Sequence, residues 1–309
     1  MTPRLGRPHL RRYAGRFSVP VASADAPVTV TFLGVSTLLV DGGDSALMTD
    51  GYFSRPGLAR VLVTGLSPHQ ARISAALRRA GVDRLDAVLP VHTHFDHALD
   101  SATVAARTGA TLVGGESCAN LGRGQGLSPS SISVVTPGMV SSLGAFTVKH
   151  VLSAHCPPDR FPGAIEQPVV PPARATAYRC GEAWSLLVSH QPSGRRLLVQ
   201  GSAGFVRGAL TGERAEVVYL GVGQLGRQNE WYIRTYWDET VRAVGARRVV
   251  LVHWDDFFRP LDRPLRALPR LGDDLDATMA VLTPLAGADG VELRLPRVWV
   301  REDPWAGMP

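Results

Sequence analysis

Residues 92–97 read His-Thr-His-Phe-Asp-His. They follow an apolar run at 87–91 that reads as a buried strand, and they lead into a stretch that reads as helix to Thr108, closed by Gly109. Three imidazoles and a carboxylate are thus crowded onto one strand-to-helix loop. Neutral imidazole nitrogens and carboxylate oxygens are good ligands for zinc-like dications. His92 and His94 can turn to one metal while Asp96 and His97 turn to a second. A solvated loop has no reason to collect these side chains at a strand end, so the spacing predicts a metal centre on this tight strand-to-helix loop.

The remaining pattern alternates strands and helices. Strands are expected at 28–33 and 37–40, split by Gly34, and at 46–49 after the turn signal Asp41-Gly42-Gly43-Asp44. Ser67-Pro68-His69-Gln70 reads as a helix start with Ser67 as cap, and Ile73, Leu77 and Ala80 form its buried stripe up to Gly81. Further strands are expected at 111–113, 132–135, 146–152, 184–190, 196–200, 217–220 and 248–253, with one or two more within 291–300. A helix over 229–244 would bury Ile233, Trp237, Val241 and Val244, and a weaker helix is expected at 264–279. Pro157, Pro158, Pro162, Pro168, Pro171 and Pro172 deny regular structure to 156–180, a connection of the length and kind used for lids and binding loops. No linker divides the chain. The expectation is a basic N-terminal arm at 1–27 and a single domain at 28–309.

Charge bears on the partner. The net charge of +6 suggests nucleic acid, but Arg4, Arg7, Arg11, Arg12 and Arg16 sit in residues 1–24, which hold no acid. The rest of the chain is nearly neutral, so the arm reads as a solvated tail and a nucleic-acid partner is not expected. No apolar stretch approaches the roughly 18 residues of a membrane span. Three cysteines, Cys118, Cys156 and Cys180, are too few for a disulfide framework and fit a reducing, cytoplasmic setting.

The motif at 92–97 resembles the His-x-His-x-Asp-His signature of the metallo-β-lactamase superfamily. Thr31-Phe32-Leu33-Gly34, Met48-Thr49-Asp50-Gly51 and His97-Ala98-Leu99-Asp100 are similar to the branch holding ascorbate-phosphate lactonase and the N-acylphosphatidylethanolamine phospholipases. The resemblance implies an α/β fold, a four-layer αββα sandwich with two metals at one edge. It also implies that His155 completes the first metal's set and His253 the second's. Each has a plainer reading, as a polar residue opening a loop and as a hydrogen-bonded core histidine. Asp50 matches the strand-end aspartate that steadies a ligand histidine, or is a turn residue before Gly51. Ser202 stands where most hydrolases of the superfamily carry an aspartate bridging both metals. Asp255 and Asp256 read equally well as supports for His253 or as surface residues. Tyr52, Phe53, Trp231 and Tyr232 read as packing residues that could line the cleft.

The expected function is a metal-dependent hydrolase with two zinc ions per chain, manganese or iron being the alternatives. A dication lowers the pKa of bound water to about 7, so hydroxide can attack an ester-type bond of a small molecule: lactone, thioester, phosphodiester or lactam. Asp96 is expected to be catalytic as well as a ligand. With no aspartate at 202, the two metals keep extra positive charge, which favours an anionic substrate group. Two alternatives remain open: a di-iron centre for redox or oxygen chemistry, and a non-catalytic member that binds a ligand or nucleic acid.

Overall fold

The structure, a computed structural model, describes residues 5–308. Arg4 of the basic arm lies outside the described residues. Two seven-stranded sheets face each other. The first has the order β14-β1-β2-β3-β4-β5-β6, from β1 (Thr29–Phe32), β2 (Leu38–Asp41), β3 (Ala46–Thr49), β4 (Ala87–Leu89), β5 (Thr111–Gly114), β6 (Ile132–Val134) and β14 (Arg301–Glu302). The second has the order β13-β12-β11-β10-β9-β8-β7. It is built from β7 (Val140–Leu143), β8 (Phe146–Leu152), β9 (Trp184–His190), β10 (Arg196–Gln200), β11 (Val217–Gly221), β12 (Arg248–Val252) and β13 (Glu292–Arg294).

Side-chain alternation along the strands explains why both sheets are covered on both faces. Val30, Phe32, Leu38, Val40, Leu47, Ala87 and Leu89 point inward and share one core with Val148, Leu186, Val199 and Tyr219 of the second sheet. Leu39, Met48, Val88 and Leu112 point the other way and pack on helices α2 (Gln70–Ala80), α4 (Ser101–Thr108) and α5 (Glu116–Gly124). On the far side, α6 (Glu230–Trp237) and α7 (Leu275–Asp289) cover the second sheet through Ile233, Trp237, Met279 and Leu282. Two short helices, α1 (Leu58–Val63) and α3 (Phe95–Ala98), follow β3 and β4 in the chain. The result is the four-layer αββα sandwich.

Three local expectations are corrected. Helix α2 is capped by His69, whose Nδ1 accepts the Arg72 amide at 3.4 Å, and Ser67 and Pro68 precede it. Here the Ser54 hydroxyl accepts the His69 amide at 2.6 Å and fixes where the helix begins. The helix expected at 264–279 is instead α7, starting after Asp274, whose carboxylate accepts the Asp276 amide at 3.1 Å. Pro284 lies inside α7, where burial of Leu275, Met279, Leu282 and Leu285 offsets the lost hydrogen bond. Finally, residues 7–16 of the basic segment are docked. Arg7 donates to Asp256 (2.9 Å) and the Ala267 carbonyl (2.7 Å), Tyr13 to Asp276 (2.6 Å) and Arg16 to the Leu293 carbonyl (3.0 Å). These partners come from segments distant in sequence, which local charge counting does not see.

Candidate metal centre

Strands β3, β4 and β5 are parallel, as are β10, β11 and β12. β9 is antiparallel to both β8 and β10, so β8 also runs with β10. The chain therefore leaves β3, β4, β8, β10 and β12 at one edge of the sandwich. Asp50, the 92–97 loop, His155, Ser202 and His253 all lie just beyond those strand ends, which is why residues far apart in sequence meet.

They meet as two groups of three. The donor atoms of His92, His94 and His155 lie within 4.8 Å of one another, and so do those of Asp96, His97 and His253. His92 Nε2 faces His94 Nδ1 at 3.2 Å, and His97 Nε2 faces His253 Nε2 at 3.2 Å. The Asp96 carboxylate lies 3.5 Å from His253 and 3.7 Å from His97. The His92 and His97 rings, 4.0 Å apart at their centroids, join the two groups.

Several outer nitrogens are held. His97 Nδ1 meets Asp50 Oδ2 at 2.9 Å, and Asp50 also accepts the Ser36 hydroxyl (2.6 Å) and the Val91 amide (2.9 Å). His155 Nδ1 donates to the Cys156 carbonyl at 2.7 Å. His94 Nε2 lies 3.2 Å from Asp159 and 3.3 Å from the Phe161 carbonyl, so the proline-rich segment reaches the centre through these two residues. These bonds assign the proton to the outer nitrogen of each ring and leave the inner lone pair free. His92 Nδ1 and His253 Nδ1 are buried without a partner among the described residues. Five imidazoles with inner lone pairs facing one another, beside a lone carboxylate, form a donor set that suits one or two dications and has little other means of satisfaction.

Electrostatics agree. Burial, reinforced by the neighbouring His97 and His94 rings, drives His92 well below the ordinary imidazole range. Burial and then His94 lower His155 to about 4. Burial works against the Asp96 carboxylate, but His97 and His253 overcome it and hold Asp96 below the carboxylate range. Burial also opposes charge on His253, yet Asp96 raises it. At neutral pH His92 and His155 are thus neutral donors, and the Asp96 carboxylate carries negative charge.

The backbone here is strained. Val35 (φ 54°), Asp50 (φ 54°), Arg55 (φ 40°) and His253 (φ 60°) occupy left-handed conformations. Each costs on the order of 1–3 kcal/mol for a non-glycine residue, and such outliers gather at functional sites. Val35 is over-determined: its amide donates to Asp255 at 2.8 Å and its carbonyl accepts the His253 amide at 2.7 Å. Two glycines press on the site histidines. A Cβ on Gly204 would stand 2.1 Å from the Ala154 carbonyl oxygen, beside His155, and one on Gly223 would stand 2.8 Å from His253 Nδ1. Asp159, Val35, Gly204 and Gly223 escaped the sequence reading, because each matters only through a long-range contact.

The other candidates divide. The Ser202 hydroxyl accepts the Cys156 amide at 3.0 Å and so braces the turn next to His155. Asp255 is fully buried and paired with Arg55, and Asp256 binds Arg7 and Arg266, so both act as supports beneath the His253 loop. Tyr52 and Phe53 are buried in the packing. Trp231 is exposed, and Tyr232 donates to the Ala203 carbonyl at 2.9 Å. Phe161 and Phe257 flank the two groups, with centroids 6.1 Å from His94 and 5.7 Å from His253. An open groove of about 240 Å³ between Arg72, Arg79, Leu261 and Trp299 includes no residue of either group.

No protein-family model and no curated protein matches this chain. Solved structures do match in fold. A metallo hydrolase from Ignicoccus hospitalis is 14% identical at a TM-score of 0.52, over 89% of this chain and 96% of its own. A protein from Parabacteroides distasonis described as a metal-dependent hydrolase is 13% identical at 0.55, over 91% and 99%. The diiron β-hydroxylase CmlA of Streptomyces venezuelae is 13% identical at 0.51, over 89% of this chain and 54% of its own.

Proposed function

We propose that this protein of the metallo-β-lactamase fold is a metal-dependent hydrolase carrying two zinc ions, one held by His92, His94 and His155 and the other by Asp96, His97 and His253. The observation that carries the reading is the pair of three-donor groups, joined through His92 and His97. Bound dications supply Lewis acidity and make a water nucleophilic near neutral pH. Asp50 fixes the His97 ring so that Nε2 faces inward. Asp159 and the Phe161 carbonyl do the same for Nδ1 of His94. Asp96, held ionised among imidazoles, would help hold the second metal and orient the attacking water by accepting a hydrogen bond at its carboxylate. Phe161 and Phe257 set apolar rings beside His94 and His253, which would limit water there and strengthen the field at a bound substrate.

The substrate is a small molecule with an ester-type bond: a lactone, thioester, phosphodiester or lactam. Among the described residues no separate acid stands out to protonate a leaving group, which favours leaving groups of low pKa. One carboxylate among six donors leaves the loaded centre positive and favours an anionic group on the substrate. A second reading, a di-iron centre, draws support from the likeness in fold to CmlA. A donor set rich in imidazole and poor in carboxylate weighs toward zinc hydrolysis. The test is a hydrolysis screen over lactone, lactam, thioester, phosphomonoester and phosphodiester probes, with defined zinc, manganese and iron loading. Turnover with zinc supports the reading, and turnover only of the iron form in an oxygen-consuming assay overturns it.

A further inference from the structure

His94 belongs to two groups of potential donors. Its Nδ1 faces His92 Nε2 at 3.2 Å, inside the proposed centre. Its Nε2 faces Asp159 Oδ1 at 3.2 Å, and the donor atoms of His94, Asp159 and Cys180 lie within 4.8 Å of one another. Phe161 ties this second group together: its amide donates to Asp159 at 2.9 Å and its carbonyl accepts the Cys180 amide at 2.8 Å. Cys180 is a buried free thiol, while the Asp159 side chain is 21% exposed and gives the group a route to solvent.

We propose that His94, Asp159 and Cys180 form a separate site for a thiophilic divalent cation, which competes with the catalytic centre for His94 and thereby inhibits the enzyme. A nitrogen, a carboxylate oxygen and a thiolate sulfur match the preferences of zinc and still more of cadmium. A neutral imidazole has one lone pair. With the proton on Nε2, His94 offers Nδ1 to the centre. With the proton moved to Nδ1, it offers Nε2 to the outer site, and the Nδ1–H then donates to His92 Nε2. Binding at the outer site releases the Cys180 thiol proton to solvent, forms a metal–sulfur bond and withdraws one donor from the inner site. The inhibitory part rests on the function proposed above; the existence of the site does not.

Cadmium titration of the metal-free protein tests the site directly, because a cadmium–thiolate bond absorbs in the ultraviolet and the proposed catalytic centre holds no sulfur. The parent and Cys156→Ser should develop the absorption. Cys180→Ser and Cys180→Ala should lose it while keeping their melting temperature, and Asp159→Asn should weaken the cadmium affinity roughly tenfold. Loading zinc first should reduce the absorption at a given cadmium concentration. In turnover assays, excess zinc should inhibit the parent and not Cys180→Ser. Absorption that is absent from the parent, or that persists in both Cys180 variants, overturns the site. Equal inhibition of parent and Cys180→Ser overturns the competition. A protein that shows the absorption but hydrolyses none of the probes retains the site and refutes the proposed hydrolase instead.

Discussion

Asp50 accepts from His97 Nδ1 at 2.9 Å while its other oxygen accepts the Val91 amide at 2.9 Å. One carboxylate thus sets the ring of His97 and anchors the backbone that leads into the 92–97 loop. Asn at this position offers one acceptor oxygen and one amide donor, so it can serve only one of the two partners. Asp50→Asn is expected to weaken metal binding by the Asp96 group by about 10–100-fold, with little change at the His92 group. Metal content after equilibration with a weak chelator checks this, and retention of both metals at parental affinity would contradict it.

Gly204 and Gly223 supply a steric test. A methyl group on Gly204 meets the Ala154–His155 backbone, and one on Gly223 meets the His253 ring. Gly204→Ala should therefore impair metal binding by the His92 group and Gly223→Ala by the Asp96 group. Site-resolved metal titration reads the difference. If both variants lose the same metal to the same extent, the two contacts do not act through the histidines they touch.

Ser202→Asp probes charge. The serine hydroxyl sits on the Cys156 amide, one residue from His155, so a carboxylate there brings negative charge to the edge of the centre. It should tighten metal binding and weaken inhibition by phosphate. Unchanged values for both would place position 202 outside the reach of the metals.

A pH effect comes from outside the centre. Burial pushes Glu302 up to about 7, against the opposing pull of Arg297, and its Oε2 has no partner among the described residues. In the unfolded chain the same carboxyl ionises near 4.5. Between those values the native state holds a proton that the unfolded state has lost. Stability should therefore fall as pH rises through this window and level off above it, by about 1–3 kcal/mol. Glu302→Gln removes the titrating group, so its unfolding free energy should lose that slope relative to the parent. Parallel profiles from pH 5 to 8 would show that Glu302 ionises as freely when folded as when unfolded.

The fold was legible because strand alternation and local motifs are short-range signals. Val30 and Phe32 against Leu39 and Met48 already distinguish an inner from an outer face, and the 92–97 spacing marks the sheet edge where the donors gather. What escaped has the opposite character. Asp159 reaches His94 from a proline-rich segment with almost no periodicity, and Val35 is held in a left-handed conformation by Asp255 and His253, more than two hundred residues away. The helix expected at 264–279 lies instead at Leu275–Asp289, because the Asp274 cap and the burial of Leu275, Met279 and Leu282 decide its position. Such features depend on which surfaces meet, and a local pattern does not carry that information.

The central claim is that two metals are held by two separable groups of three side chains. The most direct measurement is metal per chain, with turnover, for the zinc-loaded parent, His155→Ala and His253→Ala. His155 and His253 belong to different groups and leave the 92–97 loop untouched. The account predicts two zinc ions in the parent, one in each variant, and loss of hydrolysis in both. Two tightly bound zinc ions and full turnover in either variant would contradict it.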